Sequence, residues 1–157
     1  MYFHVGIPSF SILDGWWLED LVKGTQTILH LSKKTEPFIL VGISIDGNED
    51  QWHKHRNRDF TFSPIGDTLS GIEMKMGTIM ATPMNTGNSE DFLNWMVEEL
   101  MPSMFARYPI DQEHVTLMGH SLGGLFSLYA LMNAPEVFSS TILISPALWW
   151  DNMKLLK

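Results

Sequence analysis

At 157 residues the chain is long enough for one domain that buries about two-thirds of its unfolded surface, and an apolar fraction of 45% is that of a globular protein. A net charge of -8 without any basic cluster argues against nucleic acid and anionic membrane surfaces as partners. Cysteine is absent, which excludes disulfides, thiolate catalysis and cysteine-ligated zinc while leaving the redox compartment open.

Residues 9–13, Ser-Phe-Ser-Ile-Leu, read as a short buried strand that stops at Asp14-Gly15. From Trp16 to Leu31 the apolar residues Trp17, Leu18, Leu21, Val22, Ile28 and Leu29 recur three and four apart, and Glu19 and Asp20 fall where a helix dipole favours acids. This predicts an amphipathic helix. Phe38 to Ile45 is a continuous, β-branched apolar run, the pattern of a parallel strand covered on both faces. Residues 46–88 lose periodicity and accumulate charges, Pro, Gly, Ser and Thr, so they predict a long loop or lid-like insertion, a pocket wall with at most minor structure of its own. Asn88, with Asp91 three residues on, caps a helix whose face is Phe92, Leu93, Met96, Val97, Leu100, Met101, Met104 and Phe105, and Pro109 ends it. A strand leads to Gly119, and a helix follows at once and stops at Asn133-Ala134-Pro135. Ser140 to Ser145 is another buried strand, and Leu148 to Lys157 begins a further helix. Strands alternating with helices predict an α/β fold, a parallel sheet with helices on both faces and right-handed crossovers. No apolar stretch approaches bilayer length, and the N-terminus lacks the charged region, apolar core and cleavage site of a signal peptide, so neither membrane insertion nor a leader is expected.

The chemical signal lies in Val115-Thr116-Leu117-Met118-Gly119-His120-Ser121-Leu122-Gly123-Gly124. An apolar strand meets two glycines that bracket a serine, and a helix begins immediately, as a nucleophile elbow requires. To lift the Ser121 hydroxyl out of so tight a turn, the backbone bends until side chains at positions 119 and 123 would collide, and glycine removes them. The helix then starts beneath Ser121, which aims the Leu122 amide and the positive end of the helix dipole where an oxyanion would form. Gly124 lets that helix lie close to the strand. A phosphate loop is the competing reading of a glycine-rich turn, but GxxxxGK[ST] is absent and no lysine is near.

The elbow, the strand ending Ile12-Leu13-Asp14-Gly15-Trp16-Trp17, the Val41-Gly42-Ile43 strand, Arg56-Asn57-Arg58-Asp59-Phe60-Thr61 and Ser145-Pro146-Ala147-Leu148-Trp149-Trp150-Asp151 occur in one order. In that order the chain resembles the putative-esterase group of α/β-hydrolases, which includes siderophore trilactone esterases, S-formylglutathione hydrolase and mycolyltransferases, and most of all the siderophore-esterase-like branch. The resemblance covers residues 9–157. It implies serine-dependent cleavage of a small-molecule carboxylic ester, with no metal and no organic cofactor. It assigns Ser121 as catalytic nucleophile, Leu122 and Trp16 as the two backbone oxyanion donors, and Arg56, Trp149 and Trp150 as residues around the substrate.

One departure is large. Hydrolases of this fold order their triad serine, acid, histidine, yet no histidine follows Ser121, and Glu136 and Asp151 are the only acids after it. His120 adjoins the serine, and neighbouring side chains in such a turn point apart. The expectation is therefore a partial α/β-hydrolase domain, about four central strands (three to six of the usual eight), without the N-terminal strands and without the C-terminal part that would carry acid and histidine. Its outer strands would be unpaired. Two other functions stay open: a non-catalytic binding domain on the same fold, and acyl transfer to an alcohol. His53 and His55 have the spacing of metal ligands but no convincing third partner, so no metal site is expected. Arg56 and Arg58 alternatively pair with Asp59 at the surface.

Overall fold

The computed structural model describes residues 6–44, 47–65 and 85–157. Four parallel strands form one sheet: β1 (Ile7–Leu13), β2 (Ile39–Ile43), β3 (Ile110–His120) and β4 (Ser140–Ile144), in the spatial order β2-β1-β3-β4. β1 begins two residues earlier than its pattern suggests. Pro8 lies inside it, although a residue without an N–H is unwelcome in a central strand, and the pairing with β3 shifts register between Ile7 and Ser9, where Pro8 has no ladder bond to give.

Side-chain alternation sends neighbouring residues to opposite faces of this sheet. Ile12, Met118 and Leu18 form one buried cluster, beneath helix α1 (Gly15–Leu31). Leu13, Val115 and Leu117 belong to a larger cluster on the other face, with Leu93, Met96, Leu125 and Phe126. That second layer is built from α3 (Ser89–Trp95), α4 (Met101–Arg107) and α5 (Leu122–Asn133), with Phe126 edge-on to Phe92 at 4.9 Å. Helices thus cover both faces of a parallel sheet, an α/β architecture of the α/β-hydrolase type.

Several local expectations change. The insertion opens with an 11-residue helix, α2 (Glu49–Asp59), started by a capping box in which Asn48 and Gln51 each satisfy the other's backbone N–H at 3.0 Å. Most of its side chains are polar and its buried residues are Asn57 and Asp59, which is why no apolar period announced it. Residues 66–84 of the insertion, and Ile45 at the end of the second strand, lie outside the described residues. In α1 the buried side is Leu18 with Val22, while Leu21 (67%) and Ile28 (66%) face solvent. The helix starts at Gly15, so Glu19 stands beyond its first turn and pairs with Lys23 instead. β2 and β4, expected to be buried, are the outer strands and only half covered, leaving Ile142 41% exposed. The helix at Asn88 carries no side-chain cap bond and is broken by a π turn at Met96–Leu100 before α4 begins at Met101. The last segment is a 3-10 helix, Trp150–Leu156, interrupted by left-handed residues at Asp151, Asn152 and Met153. No helix among the described residues is long and apolar enough to cross a membrane.

Candidate active site

From β1 the chain passes to β2 on one side, then returns to place β3 on the other side of β1. Such a reversal opens a crevice outside the carboxyl ends of the two inner strands, the usual ligand position in open α/β sheets. Both turns singled out in the sequence lie there. β1 ends in Asp14 and α1 begins at Gly15, while β3 ends at His120 and α5 begins at Leu122. Ile12 is paired with Met118, so the turns are level and the two helix N-termini stand side by side.

Ser121 occupies φ 57 and ψ -113, a conformation disfavoured for any residue with a Cβ. Three backbone bonds maintain it. Its N–H donates to the Ile144 carbonyl at 3.0 Å, and its own carbonyl accepts from Leu125 at 3.0 Å and from Ala147 at 2.9 Å. The Ser145–Asp151 motif thereby acquires a physical role, since its second turn braces the serine from the neighbouring strand. The glycines act as their spacing requires. A Cβ on Gly119 would stand 2.1 Å from the Gly123 carbonyl oxygen, and one on Gly124 would stand 3.0 Å from Pro146 Cα and 3.2 Å from the Gly119 oxygen. Gly123 is less demanding, with its nearest neighbour, Leu13 Cβ, at 3.3 Å. Leu122 is the first residue of α5 and Trp16 the second of α1, so both amides belong to the set that has no acceptor within its own helix.

Beside the elbow is a cavity of about 400 Å³, lined by Asp14, Arg56 and an apolar wall that includes Trp52, Phe60, Phe92 and Trp95. Ser121 is not in its lining. The two features are joined through Arg56, which donates from Nε to both Asp14 oxygens at 2.9 and 3.0 Å and from Nη2 to the His120 carbonyl at 3.2 Å. Its guanidinium also lies 5.2 Å from the centre of the Trp52 ring. Arg56, expected against the substrate or alternatively against Asp59, lines this cavity and is paired with Asp14; Arg58 is the arginine that meets Asp59, at 2.6 Å. Burial raises the Asp14 carboxyl above its ordinary 3.8, and Arg56, His120 and His53 act against that rise.

The tryptophans after β4 do not wall this cavity. Trp150 is 1% exposed, and its indole donates to the Ser63 carbonyl and hydroxyl at 3.2 Å, which makes it a core residue. Trp149 packs beside it, ring centres 6.0 Å apart, against the same core. Among the described residues no three His, Cys, Asp or Glu side chains converge in a way that would hold a metal ion. Asp14 escaped sequence reasoning as a partner for Arg56, because the two are 42 residues apart and only the closing of α2 over the strand ends unites them. Trp52, Phe92 and Trp95 were missed as cavity residues for the same reason.

A parallel sheet with helices on both faces, a strained serine between glycines at the crevice, and adjacent helix N-termini define an α/β-hydrolase-type domain. Comparison with known proteins narrows the class. The sequence matches the family described as Putative esterase over residues 4–155, and the chain belongs to that family. It is 33% identical, over 97% of its length, to the ferri-bacillibactin esterase BesA of Bacillus subtilis (strain 168), of which the match covers 52%. The BES protein from Bacillus cereus shares the fold with a TM-score of 0.79 at 28% identity, over 96% of this chain and 53% of that one. A siderophore hydrolase, EstA from Aspergillus nidulans, has the same fold at 24% identity and a TM-score of 0.77, over 98% of this chain and 50% of that one. The chain thus spans about half the length of these relatives.

Proposed function

We propose that the chain carries the nucleophile and oxyanion donors of a serine-dependent carboxylic ester hydrolase, with a small-molecule ester of the siderophore class as substrate. The observation that carries this reading is the backbone of Ser121, held at positive φ between Gly119 and Gly123 where two helix N-termini meet. Strain of this kind persists only where surrounding contacts over-determine it, and here it lifts a half-buried hydroxyl out of the strand end. In this reading Ser121 Oγ attacks the carbonyl carbon and its proton passes to a base. The Leu122 and Trp16 amides hold the negative oxygen, the bond to the leaving alcohol breaks as that proton is returned, and water then cleaves the acyl-enzyme. No histidine follows Ser121 in the sequence, and the reading assigns the base to polypeptide outside these 157 residues. The chain alone then retains at most about a thousandfold rate over water, the level binding and an oxyanion site supply without the base.

Incubation with a short p-nitrophenyl ester, beside Ser121→Ala, tests this. A rate no higher than this residual level, little changed by the substitution, is expected of the chain alone. With a histidine-bearing segment supplied, a faster rate that Ser121→Ala removes is expected, and equal rates in the two chains then refute the reading. The cavity, whose lining does not include Ser121, favours a second reading, a non-catalytic binding domain. That reading requires Ser121 to resist a fluorophosphonate even when a histidine-bearing partner segment is supplied. Transfer to an alcohol uses the same nucleophile and is separated by product analysis with an added acceptor.

A further inference from the structure

Asp14 occupies the N-cap position of α1, where an aspartate ordinarily accepts a bond from the helix it starts. It makes no such bond. The residue is twisted to φ 59 and ψ 38, its side chain is 1% exposed, and both of its oxygens accept from Arg56. One of those oxygens, Oδ2, also stands 3.4 Å from the point where a Cβ on Gly123 would lie, against the first turn of α5. A buried carboxylate thus sits beside the helix terminus whose amides and dipole favour an anion, and uncompensated it would repel a second negative charge forming there. The one arginine touching it also grips the carbonyl of His120, the residue immediately before Ser121.

Building on the ester-hydrolase reading, we propose that Arg56 is a positioning residue rather than a substrate ligand. It ties the start of α1, and so the Trp16 amide, to the elbow that carries Leu122, and it cancels the charge of Asp14 where an oxyanion would form. Its fork is suited to this. Nε meets the carboxylate, Nη2 meets the carbonyl and the guanidinium face lies toward Trp52, a three-way arrangement that a lysine's single ammonium cannot reproduce. His120 and His53 are the other titratable groups facing Asp14.

The test compares the wild-type chain with Arg56→Met, Arg56→Lys, Asp14→Asn and the Arg56→Met/Asp14→Asn double variant. Two readouts are taken: the rate at which a fluorophosphonate probe labels Ser121 with a histidine-bearing segment supplied, and the 1H–15N resonances of Trp16 and Leu122. Arg56→Met is expected to slow labelling roughly 10- to 100-fold and to move both resonances. Adding Asp14→Asn is expected to recover at least half of that loss on a logarithmic scale, because the uncompensated charge is gone. Arg56→Lys should fall between wild type and Arg56→Met. A double variant no faster than Arg56→Met, unmoved Trp16 and Leu122 resonances in Arg56→Met, or Arg56→Lys equal to wild type in both readouts would each overturn the proposal. If Arg56→Met does not fold, Arg56→Lys and the double variant, which buries no unpaired charge, decide it. A wild-type chain that is never labelled even with that segment supplied defeats the ester-hydrolase reading alone, and the resonances still decide whether Arg56 couples the two turns.

Discussion

Replacing Gly119 by alanine adds a single carbon at the most crowded point of the elbow. Built on the existing backbone, that Cβ stands 2.1 Å from the Gly123 carbonyl oxygen, 2.2 Å from its carbon and 2.7 Å from Ser127 Oγ. Non-bonded carbon contacts settle near 3.5 Å, so α5 must retreat by roughly 1 Å. Two of these atoms are backbone, and no rotamer change relieves them. Overpacking in a core typically costs about 1–3 kcal/mol, and a clash against helix backbone belongs at the upper end. For a domain of this size, about 3 kcal/mol corresponds to a fall in Tm of roughly 6–12 °C. The same retreat carries the Leu122 amide with it, and misplacement by about 1 Å can reduce a reaction at the site on the order of 100-fold. Gly24 is the internal control, since nothing lies within 4 Å of its added Cβ and it is exposed within α1. Gly24→Ala should stabilise by about 0.5–1 kcal/mol through helix propensity. Thermal melts followed by circular dichroism, with fluorophosphonate labelling of the same samples, check both. If Gly119→Ala melted within a degree of wild type and labelled at the same rate, the close approach of β3 and α5, and the account of Ser121 built on it, would be wrong.

Trp150→Ala should destabilise by about 3–5 kcal/mol, because it empties the space of a side chain that is 1% exposed and strands the Ser63 carbonyl; denaturant melts measure it, and a change under 1 kcal/mol would contradict the core assignment. Asn48→Ala removes one half of the α2 capping box and should cost about 1 kcal/mol in the same assay, while an unchanged midpoint would mean that α2 does not contribute to global stability. Asp14 should show an inverted acid response. Its folded-state carboxyl is raised above 3.8 by burial, so the native chain binds that proton more tightly than the unfolded one, and the associated stability is full below 3.8 and lost as pH rises through the folded value. The Tm of wild type minus that of Asp14→Asn should therefore decline with increasing pH above 3.8, and a difference that climbs instead would show that pairing with Arg56 outweighs burial.

The succession of strands along the chain could be anticipated from local features because each inner strand carries its own punctuation. β1 ends at Asp14-Gly15, and β3 ends in a glycine-bracketed serine whose spacing directly encodes how closely β3 and α5 approach. Apolar runs marked β2 and β4, although the same runs overstated their burial: hydrophobicity reports what a segment can bury, while exposure depends on how many neighbours the sheet provides. Helix α2 was invisible to periodicity because it is held by a capping box and by a few polar anchors such as Thr61, which accepts from Gly87 and donates to Asn57.

What the amino-acid order determined by itself was where the elbow stands, since Gly119, Ser121 and Gly123 lie within five positions and a Cβ at Gly119 would meet the Gly123 carbonyl, whereas the bonds to Ile144 and Ala147 that hold Ser121 come from the neighbouring strand. Tertiary structure alone decided the surroundings. Arg56 meets Asp14 across 42 residues, Trp150 reaches Ser63 across 87, and the cavity collects Trp52 from α2 and Phe92 and Trp95 from α3. Long-range contacts of this kind depend on where the chain crosses the sheet, and only the reversal of strand order at β1 and β3 brings those segments to one crevice.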